Sequence, residues 1–342
     1  MLLFIVGSTL AALLGLALVK KMSLACLVKR IYYELQYNMI GVKGIVLDHL
    51  QASSNRTELP QLTGKIAIVT GGSRGMGTEV VRMLLKCDMT VIIACRSTSA
   101  GENSVKHIRE SNIETGKTIV MELDNSSLDS VRRFVKEFYN KYDKLDILIN
   151  NAGVMFTPYK ETIDGFEEQY GVNYLSHFLL TISLIPLLKN AGTSEYYSRI
   201  INVSSCAHLI GNINFDDINL KENFVTGEAY AQSKLALLLF TKFLSRFFET
   251  NKLYISVNAV HPGIVNTELF ETSYHKYLKF IRNLIFKKPE EGATSIVFAA
   301  VSPQIEQKSG IYISNCLESS VMSLVHNKEL QDRLVQFSLK QI

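Results

Sequence analysis

The chain has 342 residues, of which 47% are hydrophobic and 20% charged, with a formal charge of +4. That composition supports a large buried core and excludes a disordered chain. The charge is too mild and too evenly spread to predict a nucleic-acid partner. Five cysteines, Cys26, Cys87, Cys95, Cys206 and Cys316, are an odd number without a CxxC pair. They read as reduced thiols packed as small core residues, Cys206 included.

Residues 1–19, MLLFIVGSTLAALLGLALV, carry no charged side chain. As a helix they would span about 28 Å, close to a bilayer core. Lys20, Lys21, Lys29 and Arg30 follow before the first acid, Glu34. A long apolar run with its basic flank afterwards predicts an uncleaved transmembrane anchor rather than a signal peptide, with the main domain in the cytosol. Glycosylation at the sequon Asn55-Arg56-Thr57 would reverse that topology. Residues 20–60 read as a basic flank and linker ending at Pro60, and 61–342 as one domain.

From 61 onward apolar bursts alternate with helical patterns. Strands are expected at KIAIVT (65–70), TVIIAC (90–95), TIVMEL (118–123), LDILIN (145–150), RIINVS (199–204), YISVNAV (254–260) and GIYIS (310–314). They are apolar throughout, as strands covered on both faces are. Repeated β–α units of this kind predict an α/β fold with a doubly wound, seven-stranded parallel sheet.

Directly after the first strand comes TGGSRGMG (70–77), with Gly71, Gly75 and Gly77 between a strand and a helix. Glycines let the backbone turn tightly against a diphosphate, and the helix N-terminus supplies N–H donors. The second strand ends in Cys95-Arg96 rather than an acid. An acid there would accept from both ribose hydroxyls, whereas Arg96 with Arg74 would suit a 2′-phosphate. NADP(H) is therefore the expected cofactor. AYAQSKLALLLF (229–240) sets Tyr230 and Lys234 one helical turn apart on one face. A cation beside a phenol favours phenolate, which would bring a group with a pKa near 10 towards a working range. His261 reads as structural, and His208 as facing solvent or the substrate mouth. No His/Cys cluster has metal-ligand spacing.

TGGSRGMG, NNAG (150–153), SS (204–205), YAQSK and HPGIVNTEL (261–269), in this order, resemble the short-chain dehydrogenase/reductase family, over nearly all of 61–315. The resemblance implies a Rossmann fold and assigns roles. Tyr230 matches the catalytic acid/base and Lys234 its partner, which also holds the nicotinamide ribose. Ser205, with Ser204 as fallback, matches the serine that binds the substrate oxygen, and Asn173 the asparagine that steadies a relay water. Cofactor contacts are implied for Gly71, Ser73, Arg74, Gly75, Met76, Gly77, Arg96, Asp124, Asn151, Ala152, Gly153, Pro262, Gly263 and Thr267. One departure is a gap from Ser205 to Tyr230 about twice the family's usual length.

Other segments, FEEQYGVNYLSHFLLT and FKKPEEGATSIVFAAVSPQIE among them, resemble the family's membrane-bound branches acting on isoprenoid alcohols. The implied substrate is a lipophilic isoprenoid alcohol or aldehyde. Polyprenol oxidation and dolichal reduction come first and retinoids second, with NAD(H) also in use, at an endoplasmic reticulum or lipid-droplet membrane. A homodimer is left open. An idle dinucleotide-binding scaffold is the rival reading, although it could lose the Tyr/Lys/Ser set that is present here. FETSYHKYLKFIRNLIF (270–286) sets apolar residues, Leu284 included, on one helical face and basic ones, Arg282 included, on the other. It fits a helix closing on the core as well as one meeting lipid.

Overall fold

The computed structural model describes residues 23–269 and 279–342. The predicted anchor at 1–19 and residues 270–278 of the expected covering helix lie outside them.

The seven expected strands form where the apolar bursts lie: β1 (Ile66–Thr70), β2 (Thr90–Cys95), β3 (Lys117–Glu122), β4 (Ile147–Asn150), β5 (Ser198–Val203), β6 (Ile255–His261) and β7 (Tyr312–Ser314). All pair in parallel, in the order β3-β2-β1-β4-β5-β6-β7. An eighth strand, β8 (Leu317–Glu318), adds an antiparallel edge that the sequence did not announce. Its hairpin turn is Asn315-Cys316, both at positive φ, the geometry that Asn-Gly usually supplies.

Alternate residues of β1 point into different cores. Ile68 joins one built with α4 (Leu128–Tyr139), α5 (Glu168–Ala191), α6 (Thr226–Thr250) and α9 (Lys328–Leu339). Ala67 and Val69 join another, built with α2 (Gly75–Lys86), α3 (Thr98–Glu110) and α8 (Pro289–Val301). Helix α5 is long and apolar enough to cross a membrane, but most of it is buried in the first core. A π-helical turn, Gly171–Leu175, lies near its start.

Two expectations need correction. Residues 24–50 are not a linker but one 27-residue helix, α1 (Leu24–Leu50), capped by Ser23, which accepts from the Cys26 amide at 3.2 Å. Tyr33, Tyr37, Gly44 and Asp48 recur at helical spacing, and that face meets the domain. His208 does not face solvent. It is buried, with Nδ1 2.7 Å from the Ser205 carbonyl. In the short helix α7 (Lys279–Ile285) Leu284 is 76% exposed and Arg282 3% exposed, so Leu284 does not close on the core.

Candidate active site

The order of the strands reverses direction between β1 and β4, which opens a crevice at their C-terminal ends. Thr70 closes β1 there. Its hydroxyl accepts the amides of Asn151 and Ala152, both at 2.9 Å, and lies 2.9 Å from His177 Nε2. With both lone pairs used, the Thr70 proton goes to Nε2. His177 Nδ1–H then donates to the Asn173 carbonyl at 2.9 Å. Burial holds this ring neutral, pushing its pKa down to about 4. Thr70 and His177, absent from the sequence reading, thus tie the glycine turn to the π turn that carries Asn173.

The glycine turn fits a diphosphate on its own geometry. A Cβ on Gly77 would lie 2.1 Å from the Gly71 carbonyl oxygen, so only hydrogen lets α2 begin this close to β1. The N-terminus of α2 has no side-chain cap and no acid in its first turn, which leaves its amides for an anion. Gly75 faces Thr267 of the loop after β6, since a Cβ on Gly75 would meet Thr267 Cγ2 at 3.9 Å. Ser73 hydrogen-bonds the Cys95 thiol at the end of β2. A Cβ on Gly292 would lie 2.9 Å from Met76 Sδ, so Met76 packs onto α8 at that glycine. Asp124 holds its own turn, accepting the Ser126 amide and hydroxyl at 2.9 and 2.7 Å.

Arg96 is exposed at the end of β2 and makes no ion pair among the described residues. Arg74 pairs instead with Glu268 at 3.1 Å, both about two-thirds exposed, an ion pair of little strength in water.

Around the catalytic candidates the packing is tight. Ser204 donates to the Lys234 carbonyl at 2.9 Å and so fastens α6 to β5. Ser205 caps the short 3-10 helix Cys206–Ile210, and its side chain hydrogen-bonds Tyr230. The long gap between Ser205 and Tyr230 therefore leaves and returns without separating them, and Ser205 rather than Ser204 meets the phenol. Lys234 is buried, with Nζ 2.8 Å from the Val203 carbonyl and two N–H groups to spare. A Cβ on Gly153 would lie 3.1 Å from Asn173 Oδ1 and 3.7 Å from Lys234 Nζ, so the NNAG segment touches both. The Asn173 amide group bonds Val154 through N and O, at 2.8 and 3.0 Å, and Ser233 at 3.0 Å.

The electrostatics differ from the sequence expectation. Burial pushes the Tyr230 phenol up, and the Ser205 hydrogen bond only partly offsets this. Lys234 does not reverse the shift, and burial brings its own ammonium down to about 7. As it stands, the pair is a neutral phenol beside a weakened cation. Burial likewise raises the Cys206 thiol to about 11 and keeps it inert.

Above the phenol lies an apolar wall of Met155, Phe156, Ala207 and Tyr37. The Phe156 ring is 5.6 Å from Tyr230 and 5.0 Å from Tyr37, whose hydroxyl donates to the Gly227 carbonyl at 2.7 Å. Helix α1 also holds the loop after β6. Asp48 accepts the Ile264 amide at 2.8 Å and pairs with Lys287 at 3.3 Å, both nearly buried. At Gly263 (φ +93), in the same loop, a Cβ would meet this ion pair at 2.7 Å. Tyr37 and Asp48 escaped the sequence reading, although their helical register with Tyr33 and Gly44 was the signal.

A glycine turn at the switch point, with Ser, Tyr and Lys converging beside it, defines a nucleotide-dependent oxidoreductase. The chain belongs to the short chain dehydrogenase family, whose model matches residues 65–278, and members of that family bind NAD(P). Polyprenol dehydrogenase of Danio rerio is 40% identical over 297 residues, covering 86% of this chain and 91% of that protein. Retinol dehydrogenase 12 of Mus musculus is 39% identical, covering 80% and 85%. Among solved structures, the Pseudomonas aeruginosa RhlG/NADP active-site complex aligns with a TM-score of 0.60 at 26% identity, over 74% of this chain and 95% of that one.

Proposed function

We propose that the chain is a membrane-anchored, NADP(H)-preferring enzyme interconverting a lipophilic isoprenoid alcohol and its aldehyde, with polyprenol and dolichol-type substrates ahead of retinoids. The observation that carries this reading is the Tyr230 hydroxyl, bonded to Ser205 and covered by apolar side chains rather than water. Such a wall suits a hydrocarbon next to the reacting carbon and offers nothing to a polar one. The polyprenol and retinol dehydrogenases among the relatives support the substrate class. Arg96, with no acid at the end of β2, supports the 2′-phosphate.

Bound in the crevice, the dinucleotide would supply the hydride donor or acceptor and, when oxidised, a positive ring beside the phenol. The chain's own residues do the rest. Ser205 orients the substrate oxygen, and Tyr230 exchanges a proton with it at the phenol oxygen. Lys234 has N–H groups left for the nicotinamide ribose, and Asn173 with Val154 holds the wall behind them. Burial keeps the Tyr230 proton at hand for an incipient alkoxide, and in the oxidative direction the positive ring would help the phenol accept the alcohol's proton. The deciding experiment offers purified protein in detergent polyprenal, dolichal and retinal in parallel, with NADPH and with NADH. Preference for retinal would move the substrate to the retinoids. Unchanged turnover in Tyr230→Phe would reject the mechanism, and a wild type that turns over none of the three aldehydes would favour an idle scaffold.

A further inference from the structure

Helix α1 is amphipathic the wrong way round for water. Its outward side carries Leu24 (75% exposed), Val28 (58%), Tyr32 (52%), Met39 (58%), Val46 (51%) and Leu50 (74%). Lys29, Tyr37 and Asp48 turn inward instead, while Lys43 and His49 stay exposed beside the stripe. Lys29 pairs with Glu228 at 2.6 Å, Tyr37 bonds Gly227, and Asp48 pairs with Lys287. Over 27 residues this makes an apolar stripe about 40 Å long. A stripe of that length is far beyond scattered exposed side chains and marks an interaction surface.

We propose that this stripe rests in the headgroup region of a lipid bilayer, so that α1 lies along the membrane with its other face closing the active site. The choice of lipid follows from the chain itself. The nineteen uncharged residues 1–19 end five residues before α1 begins, with Lys20 and Lys21 between them. If that run spans a membrane, α1 starts at the headgroups and has only to turn into the interface plane. A third point of contact agrees. Leu284, three residues before the Lys287 that Asp48 holds, is 76% exposed. The same helix then presents lipid-facing side chains outward and Tyr37, part of the wall over Tyr230, inward. A long isoprenoid could slide from the acyl layer along α1 to the phenol without crossing water. This inference rests on the membrane reading above and adds to it the surface and the route.

The chain contains no tryptophan, so one can be introduced as the sole indole reporter. The full-length protein carrying Met39→Trp, Val46→Trp or, at the far end of α6, Phe247→Trp is reconstituted into phosphatidylcholine/phosphatidylserine vesicles brominated near the glycerol end of the acyl chain. An interfacial helix sits ~5–10 Å into the headgroup/acyl boundary, so Met39→Trp and Val46→Trp should be quenched by about twofold or more, and Phe247→Trp hardly at all. In parallel, Met39→Glu should lower kcat/KM for vesicle-borne polyprenal but not for a short water-soluble aldehyde. Unquenched reporters on protein that still floats with the vesicles overturn the stripe's role and leave the membrane anchor standing. Protein that does not float overturns both. If the reporters stay dark to bromine and Met39→Glu splits a dimer in light scattering, a second copy covers the stripe and the inference is wrong.

Discussion

Asp48→Ala tests whether α1 is a working part of the catalytic domain. The carboxylate is 6% exposed and holds two partners, the Ile264 amide at 2.8 Å and the Lys287 ammonium at 3.3 Å. Removing one member of a buried pair typically costs ~3–5 kcal/mol, because the other charge is left without compensation. Lys287 keeps a second partner, Asn315 Oδ1, which argues for the low end, about 3 kcal/mol. For a domain of this size that is a fall of roughly 6–12 °C in Tm. Thermal unfolding by near-ultraviolet circular dichroism in detergent reads it directly. Adding Lys287→Met removes the stranded charge and should restore most of the loss. The Pro262–Thr267 loop hangs on the same carboxylate, so dinucleotide affinity should weaken in Asp48→Ala. A shift under 1 °C, or no recovery in the double variant, would mean that α1 only leans on the domain and that residues 24–50 act as the linker their sequence suggested.

Three further outcomes follow from the site. Lys234→Met should stabilise the dinucleotide-free protein. The ammonium's fall from 10.5 to about 7 means that the unfolded chain holds this proton between those values while the native one does not. Wild-type stability therefore climbs as pH rises from 7 to 10.5, by at most on the order of 5 kcal/mol, and is lost on the way down. Parallel Tm–pH curves for wild type and variant would refute the shift. Arg96→Asp should reverse the cofactor preference by about ten- to hundredfold in kcat/KM for NADPH against NADH, the worth of ~1.5–3 kcal/mol in charge-assisted bonds; no change would place the 2′-phosphate elsewhere. His177→Leu leaves the Thr70 hydroxyl and the Asn173 carbonyl without their partner, at ~1–3 kcal/mol. Wild type should also lose stability as pH falls from 6.5 towards 4, where the native ring stays neutral, and the variant should be flatter over that window.

What was legible in the sequence was whatever repeats locally. The strands announced themselves because each is apolar on both faces, and the glycine turn because Gly71 and Gly77 sit too close for side chains. Ser205 and Tyr230 could be paired only through the resemblance, since their separation in the chain says nothing of distance in space. The charge state of Tyr230 was misjudged for a physical reason. Adjacency to Lys234 on a helix was counted as a Coulomb effect, but burial acts on both groups and weakens the cation that was meant to do the work. Glycine-free Asn315-Cys316 hid the last hairpin in the same way, as a local rule satisfied by unusual residues.

The largest misreading, α1, shows what pattern reading leaves out. A water-facing helix has polar residues outward, so a segment whose charged and apolar residues run in the opposite sense does not register as one. Its polarity makes sense only when both neighbours are counted. Inward lie Glu228, Gly227, Ile264 and Lys287, which take up Lys29, Tyr37 and Asp48. Outward lies an apolar stripe that water would reject. Were the outer neighbour water, replacing Val28, Met39 and Val46 by glutamate would raise solubility and leave turnover of a vesicle-borne substrate alone. With lipid outside, the same three changes should detach α1 from the surface and slow that turnover, while the inner ion pairs keep the domain folded.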